Sequence, residues 1–222
     1  MVNFTRRFAV MAVTALALVA CGAASGSDAP KSGNSGAASG TLGHTLGAED
    51  APITIIEYAS PTCPACKYFH ETVKPVIQEK YISTGKVRFV FKDYPLNNID
   101  VAAYAMARCA GEARFFDVLD DLFANQDGIR AAAGSGVVTA ALTAIGQRHG
   151  IADAAALDVC LNDKDIRQAI ADTYATGEQY QVDGTPTFII NGVKRNFSGE
   201  FTTPDGFSRH LDGLLASLEA SE

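Results

Sequence analysis

Ile53-Thr54-Ile55-Ile56-Glu57-Tyr58-Ala59-Ser60-Pro61-Thr62-Cys63-Pro64-Ala65-Cys66 is the stretch on which the reading of this chain turns. Its first seven residues are β-branched or apolar apart from one carboxylate, and predict a buried strand. Beyond it, Tyr68, Phe69, Val73, Val76 and Ile77 recur at helical spacing and predict a helix that starts at Cys63. Two thiols separated by two residues can close and reopen a disulfide in place. A strand, a short loop and a helix set the first sulfur at a helix N-terminus, where unpaired N–H groups and the positive dipole end favour the thiolate. Thiolate is the species that attacks disulfides. Half of a structural zinc site is the other use of such a pair, and the strand-then-helix order speaks against it.

Reading outward, Val87-Arg88-Phe89-Val90-Phe91 is a second strand reached through that helix, which makes a parallel βαβ unit. From about Asn97 to Tyr180 the chain is alanine-rich and helical, with segments at 98–110, 112–125, 137–149, 153–161 and 163–181. Gly111, Gly128, Gly134-Ser135-Gly136 and Gly150 separate them. Phe115, Phe116 and Phe123 recur at helical spacing and read as core of this region. Thr185-Pro186-Thr187-Phe188-Ile189-Ile190 is an apolar strand, and Asn191-Gly192 a tight hairpin turn leading to a last strand near Val193–Asn196. A helix from Pro204 to about Leu218 closes the pattern, with proline suited to its first turn.

The N-terminal end reads as an address. Arg6 and Arg7 precede an apolar run from Phe8 to Ala20, too short for an ordinary membrane span, so residues 1–20 are an export signal. The run ends Leu18-Val19-Ala20-Cys21-Gly22, which resembles the bacterial lipoprotein cleavage box and marks Cys21 for lipidation. Ordinary cleavage nearby, leaving no anchor, is the other reading. Residues 21–41 are then the lipidated cysteine and a Gly/Ala/Ser tether with a reach of roughly 25 Å. Net charge is −7, and losing Arg6 and Arg7 with the leader takes it to −9. No basic patch is left for nucleic acid.

Of the five cysteines, Cys21 goes to lipid and Cys63 with Cys66 to the motif. Cys109 and Cys160, both in helical patterns, remain and suit a structural disulfide in an oxidising compartment. Two separate buried thiols is the alternative.

Glu57 followed at six residues by Cys63-Pro64-Ala65-Cys66, the helical middle, and Gly184-Thr185-Pro186-Thr187-Phe188 together resemble the DsbA-like branch of the thioredoxin superfamily over nearly all of residues 50–218. The resemblance implies an α/β, thioredoxin-like fold, a central mixed sheet flanked by helices. Residues 42–96 and 182–222 would form it and 97–181 an all-helical insertion. In that light Cys63 is the nucleophile and Cys66 the resolving thiol. Pro186 is a cis-proline beside the pair, although locally it could equally be a trans proline opening a strand. Thr185 offers its backbone to an extended substrate. Glu57, a carboxylate expensive to bury, passes a proton to or from Cys66, and Lys92 is set as its basic partner. His70, four residues after Cys66, reads as a solvated helix position, with tuning of the thiolate as the alternative. Where strongly oxidising relatives carry Pro-His between the cysteines, this chain has Pro64-Ala65, which leaves the direction of exchange open.

The implied activity is extracytoplasmic thiol–disulfide exchange with exported proteins, run in the oxidising direction, in a lipoprotein held at the membrane of the cell envelope (periplasm). A quinone-linked membrane partner would reset it. No metal or organic cofactor is called for, because the Cys63–Cys66 disulfide carries both electrons. A reductase or isomerase is the rival within the same chemistry. A metal-binding lipoprotein holding a soft ion between the two thiolates is the rival from another class.

Overall fold

A computed structural model describes residues 43–221. The expected export signal, lipidation at Cys21 and tether fall on residues outside those described.

Ile53–Ala59 forms strand β2, within the bounds its composition sets, and Val87–Asp93 forms β3 parallel to it, with Ile53 beside Val87 and Glu57 beside Phe91. Thr187–Ile190 (β4) runs antiparallel on the other side of β2, and Val193–Asn196 (β5) folds back on β4 through Asn191-Gly192. Both turn residues have positive φ, 45° and 83°, the conformation that Asn-Gly supplies at least cost. A short strand with no sequence signal of its own, His44–Leu46 (β1), caps the far edge against β3. The described residues thus hold a five-stranded mixed sheet in the order β1-β3-β2-β4-β5.

Alternation along the strands sets the faces. Ile53, Ile55, Glu57 and Ala59 share one face with Phe89, Phe91, Phe188 and Ile190. That face packs on the helical stretch that carries the cysteines: α1 (Pro64–Tyr68), a π-helical turn over Phe69–Val73, α2 (Lys74–Ile77) and a second π turn over Gln78–Ile82. The sequence reads as a regular helix here. Pro75 explains the first departure, since it brings no N–H and would crowd the carbonyl four residues back. The wider turn before it accommodates the ring, with the Lys74 N–H bonded to Phe69 O.

Between β3 and β4 lie α3 (Asn98–Cys109), α4 (Phe115–Ala124), α5 (Gln126–Gly134), α6 (Val138–Arg148), α7 (Ala154–Asn162) and α8 (Lys164–Ala175). Helix α5 corrects the sequence reading, which breaks the chain at Gly128. A single glycine costs a helix interior only about 1 kcal/mol, and Ile129 and Gln126, both buried, hold the turn in place. Phe115 and Phe123 are fully buried as expected, and Phe116 is half-buried. The last helix, α9 (Pro204–Glu219), starts on Thr203, whose side chain caps Gly206 N, and packs Phe207 and Leu211 into the core.

Cys109 at the end of α3 and Cys160 in α7 are joined by a disulfide with Cα atoms 5.7 Å apart and a sequence separation of 51. Closing a loop of that size removes entropy from the unfolded chain worth about 4 kcal/mol. Replacing both residues with alanine is therefore expected to lower the unfolding free energy by ~2–4 kcal/mol, as denaturant titration of the full chain would measure. An unchanged midpoint would mean the bond constrains nothing.

Candidate active site

Cys63 sits at the N-cap of α1 with an extended backbone, φ −81° and ψ 120°, and Pro64 opens the first turn. Its carbonyl accepts the first helical bond, from Lys67 N at 3.1 Å. Cys63 is half-buried, whereas Cys66, one turn further in, is fully buried. Both are free thiols in this structure.

Placement splits their acidities. The Cys63 thiol is drawn down from 9.0 to about 5, chiefly by its hydrogen bond with the Cys66 thiol; partial burial opposes this, and the Thr185 side chain and the N–H groups of Cys66 and Ala65 add to it. Cys66 moves the other way. Burial pushes it well up, and the bond to Cys63 and the nearby charge of Glu57 push further, against one N–H from Ser60 at 3.5 Å. One sulfur is therefore ionised at neutral pH while its neighbour keeps its proton.

The approach to Cys63 is shaped by the loop before β4. The Thr185–Pro186 peptide is cis, and the Cys63 thiol donates to the Thr185 carbonyl at 3.2 Å. A cleft of about 210 Å³ runs alongside, lined by Ala65, Gly184, Thr185, Pro186, Asn196 and Phe197 among others. Here an extended chain could lay its backbone against Thr185.

Glu57 is completely buried on the face beneath the cysteine helix. Two expectations about its surroundings are overturned. Lys92 is not its partner: the register sets Glu57 beside Phe91 and Lys92 beside Tyr58, so the lysine occupies the opposite face of the sheet. His70 is not solvated: its side chain is 1% exposed, and Nε2 lies 2.9 Å from Glu57 Oε2. What hides it is α4, whose Phe123 ring stacks on the imidazole at 4.2 Å.

Two further residues position the motif, and local sequence carries no sign of either. Asp100 in α3, fully buried, accepts from Ser60 Oγ at 2.7 Å, Thr62 N at 2.9 Å and Leu96 N at 2.8 Å, which fixes the loop between β2 and Cys63. Gln126 in α5 donates from Nε2 to Pro61 O at 2.7 Å and to Cys63 O at 2.9 Å. An acidic residue in the first turn of a helix and a glutamine at a helix start are ordinary, so only their long-range partners mark them.

Sheet, cysteine helix, cis-proline loop and helical layer define a thioredoxin-like redox protein, and a profile of the thioredoxin family matches residues 40–213; the chain belongs to that family. Within it the chain stands with the DsbA-like proteins. A Rickettsia bellii protein named as a protein-disulfide oxidoreductase is 34% identical over 154 residues, 69% of this chain and 59% of its own length. The chain thus spans less than two thirds of that relative. Wolbachia pipientis alpha-DsbA1 shares 27% identity with a TM-score of 0.63, over 81% of this chain and 94% of its own. Oxidised BdbD from Bacillus subtilis, at 20% identity and TM-score 0.65 over 79% of this chain and 94% of its own, shares the fold.

Proposed function

We propose that this chain is an extracytoplasmic thiol–disulfide oxidoreductase that passes the Cys63–Cys66 disulfide to exported proteins. One observation carries the reading: a half-exposed Cys63 at the start of α1 faces the Thr185 carbonyl, its thiol drawn down, while Cys66 is fully buried behind it, its thiol pushed up. A client thiolate attacks Cys63 sulfur, the Cys63–Cys66 bond breaks, and Cys66 leaves with the electron pair and takes a proton. A second client thiolate attacks the mixed disulfide, and Cys63 departs as thiolate. The client ends oxidised by two electrons and the pair ends as dithiol.

Residues 1–20 would direct export, Cys21 would carry lipid, and the tether to residue 41 would hold the catalytic part near the membrane of the cell envelope. A membrane redox partner would restore the disulfide. The charged start and apolar run of residues 1–20 support this, as do the DsbA proteins among the chain's structural neighbours.

Stabilising the Cys63 thiolate stabilises the reduced form and so makes the disulfide an oxidant. A thiol at about 5 lies between thioredoxin, near 7 and about −270 mV, and DsbA, near 3.5 and about −120 mV. Equilibration with glutathione is therefore expected to give about −180 mV. A value at or below about −250 mV would make the protein a reductant and reverse the proposed direction.

A further inference from the structure

Cys66 presents a physical problem. It is completely buried, yet it must take up a proton each time it leaves Cys63 and lose one each time it attacks. Its neighbour Glu57 is buried just as completely, with Oε1 lacking a hydrogen-bond partner among the described residues. Behind Glu57 stands His70. While Nε2 contacts Glu57 Oε2 at 2.9 Å, Nδ1 lies 3.7 Å from Asp120 Oδ1 and makes no hydrogen bond among the described residues. The Asp120 side chain is 58% exposed and accepts from Lys74 Nζ at 3.0 Å. A cleft of about 360 Å³ reaches this point, lined by His70, Lys74, Asp120, Gln78, Phe116 and Leu46 among others. It shares no lining residue with the cleft beside Cys63.

Cys66, Glu57, His70 and Asp120 are thus four groups in series, the first three buried and the last in water. We propose that His70 is a positioning residue that carries the Cys66 proton between Glu57 and the cleft bordered by Lys74 and Asp120. The route opens away from the Cys63 cleft, so a proton can pass while a client occupies the catalytic face. The charged groups that face His70 are Glu57 from β2, Asp120 from α4 and Lys74 from its own helix, with Cys66 one turn back. Phe91 and Phe123 supply uncharged walls. The Asp120 carboxyl sits below its usual range: burial would raise it, and the nearby His70 ring and the Lys74 charge prevail.

The proposed releasing step starts with a proton on each His70 nitrogen and none on Glu57. The Cys66 S–H bond breaks and Glu57 gains an O–H bond. His70 gives its Nδ1 proton to water in the cleft and becomes neutral. The electron pair stays on Cys66 sulfur, which attacks Cys63 sulfur in the mixed disulfide; the bond from Cys63 to the adduct sulfur breaks and that sulfur leaves as thiolate, while one proton leaves the Cys66 thiol and one enters solvent. The reverse order reprotonates Cys66 when it departs.

This inference rests on the exchange chemistry proposed above, and one experiment separates the two. Reduced full-length protein mixed with oxidised glutathione should react in two phases, adduct formation on Cys63 and then closure by Cys66. In His70→Gln, adduct formation is expected to stay within about twofold of the parent while closure at pH 7 slows at least ~10-fold. In His70→Ala, added imidazole should restore closure through the open cleft, and more basic imidazoles should do so in proportion to their basicity. Asp120→Asn, an exposed change that spares the core, should shift the pH dependence of closure and leave adduct formation alone. Closure with the parent rate and pH profile in both His70→Gln and Asp120→Asn would overturn the route. So would equal slowing of both phases with no rescue by imidazole, which marks a packing role. A parent protein that forms no adduct or never closes would instead overturn the exchange reading itself.

Discussion

Cys66→Ala is expected to turn the protein into a trap. Mixed with a disulfide such as oxidised glutathione, the Cys63 thiolate attacks, one glutathione leaves as thiolate, and the other stays bonded to Cys63. In the parent, Cys66 would then displace it. Without that sulfur the adduct has no internal route out, so it should accumulate to near one per chain by mass spectrometry and turnover should fall by at least ~10³-fold. The converse variant separates the two thiols. Cys63→Ala leaves Cys66 fully buried and with its proton held, and should form almost no adduct under the same conditions. Adducts of similar yield on both variants would mean that the sulfurs are equivalent, contrary to the asymmetry on which exchange depends.

The second large effect is in pH. With Cys63 drawn from 9.0 to about 5, thiolate at pH 7 rises from ~1% to ~99%. The alkylation rate at neutral pH is nonetheless a poor test, because a less basic sulfur is a weaker nucleophile. At a Brønsted slope of 0.4–0.5 the loss is roughly 40–100-fold and nearly cancels the gain. The midpoint carries the information: iodoacetamide reactivity of Cys63 should stay level from pH 8 to about 6 and fall with a midpoint near 5. The same shift acts on stability. A group whose folded value is depressed stabilises the fold fully above its unfolded value, here 9.0, and that stability is lost as pH falls through about 5. The slope in that window is at most about 1.4 kcal/mol per pH unit, and less because the sulfur is half solvated. Relative to the oxidised form, which has no such proton, the reduced protein should lose ~2 kcal/mol between pH 8 and 5. A midpoint near 8.5 in alkylation and a constant gap between the two forms would remove the basis for an activated Cys63.

What the sequence discloses here follows the range over which each feature is determined. The run from Ile53 to Cys66, the Asn191-Gly192 turn and the proline at the start of α9 are set by neighbours within a few residues, and all three stand where composition places them. The two misread side chains are set from afar. Whether a lysine on β3 meets Glu57 depends on the parity of the β2–β3 register, and a single step separates Phe91 from Lys92. Whether His70 is wet depends on α4, some fifty residues on, laying Phe123 and Asp120 against it. Asp100 and Gln126 belong to the same class: each is an ordinary residue until the fold brings it to the loop before Cys63. Helix α5 and strand β1 were hidden for another reason, one interrupted by glycine and the other too brief to show alternation.

That only one of the paired sulfurs meets the outside has a kinetic corollary. Client and regenerating partner would, on the proposed chemistry, both enter at Cys63 and press against the same ledge at Thr185, so neither could be bound covalently while the other is. On the proposed chemistry the two visit by turns, each leaving before the next arrives, and the enzyme shuttles between two stable covalent states in a double-displacement rhythm. Raising the concentration of one visitor then obstructs the other, and flux through the pathway is governed by how evenly the two are supplied.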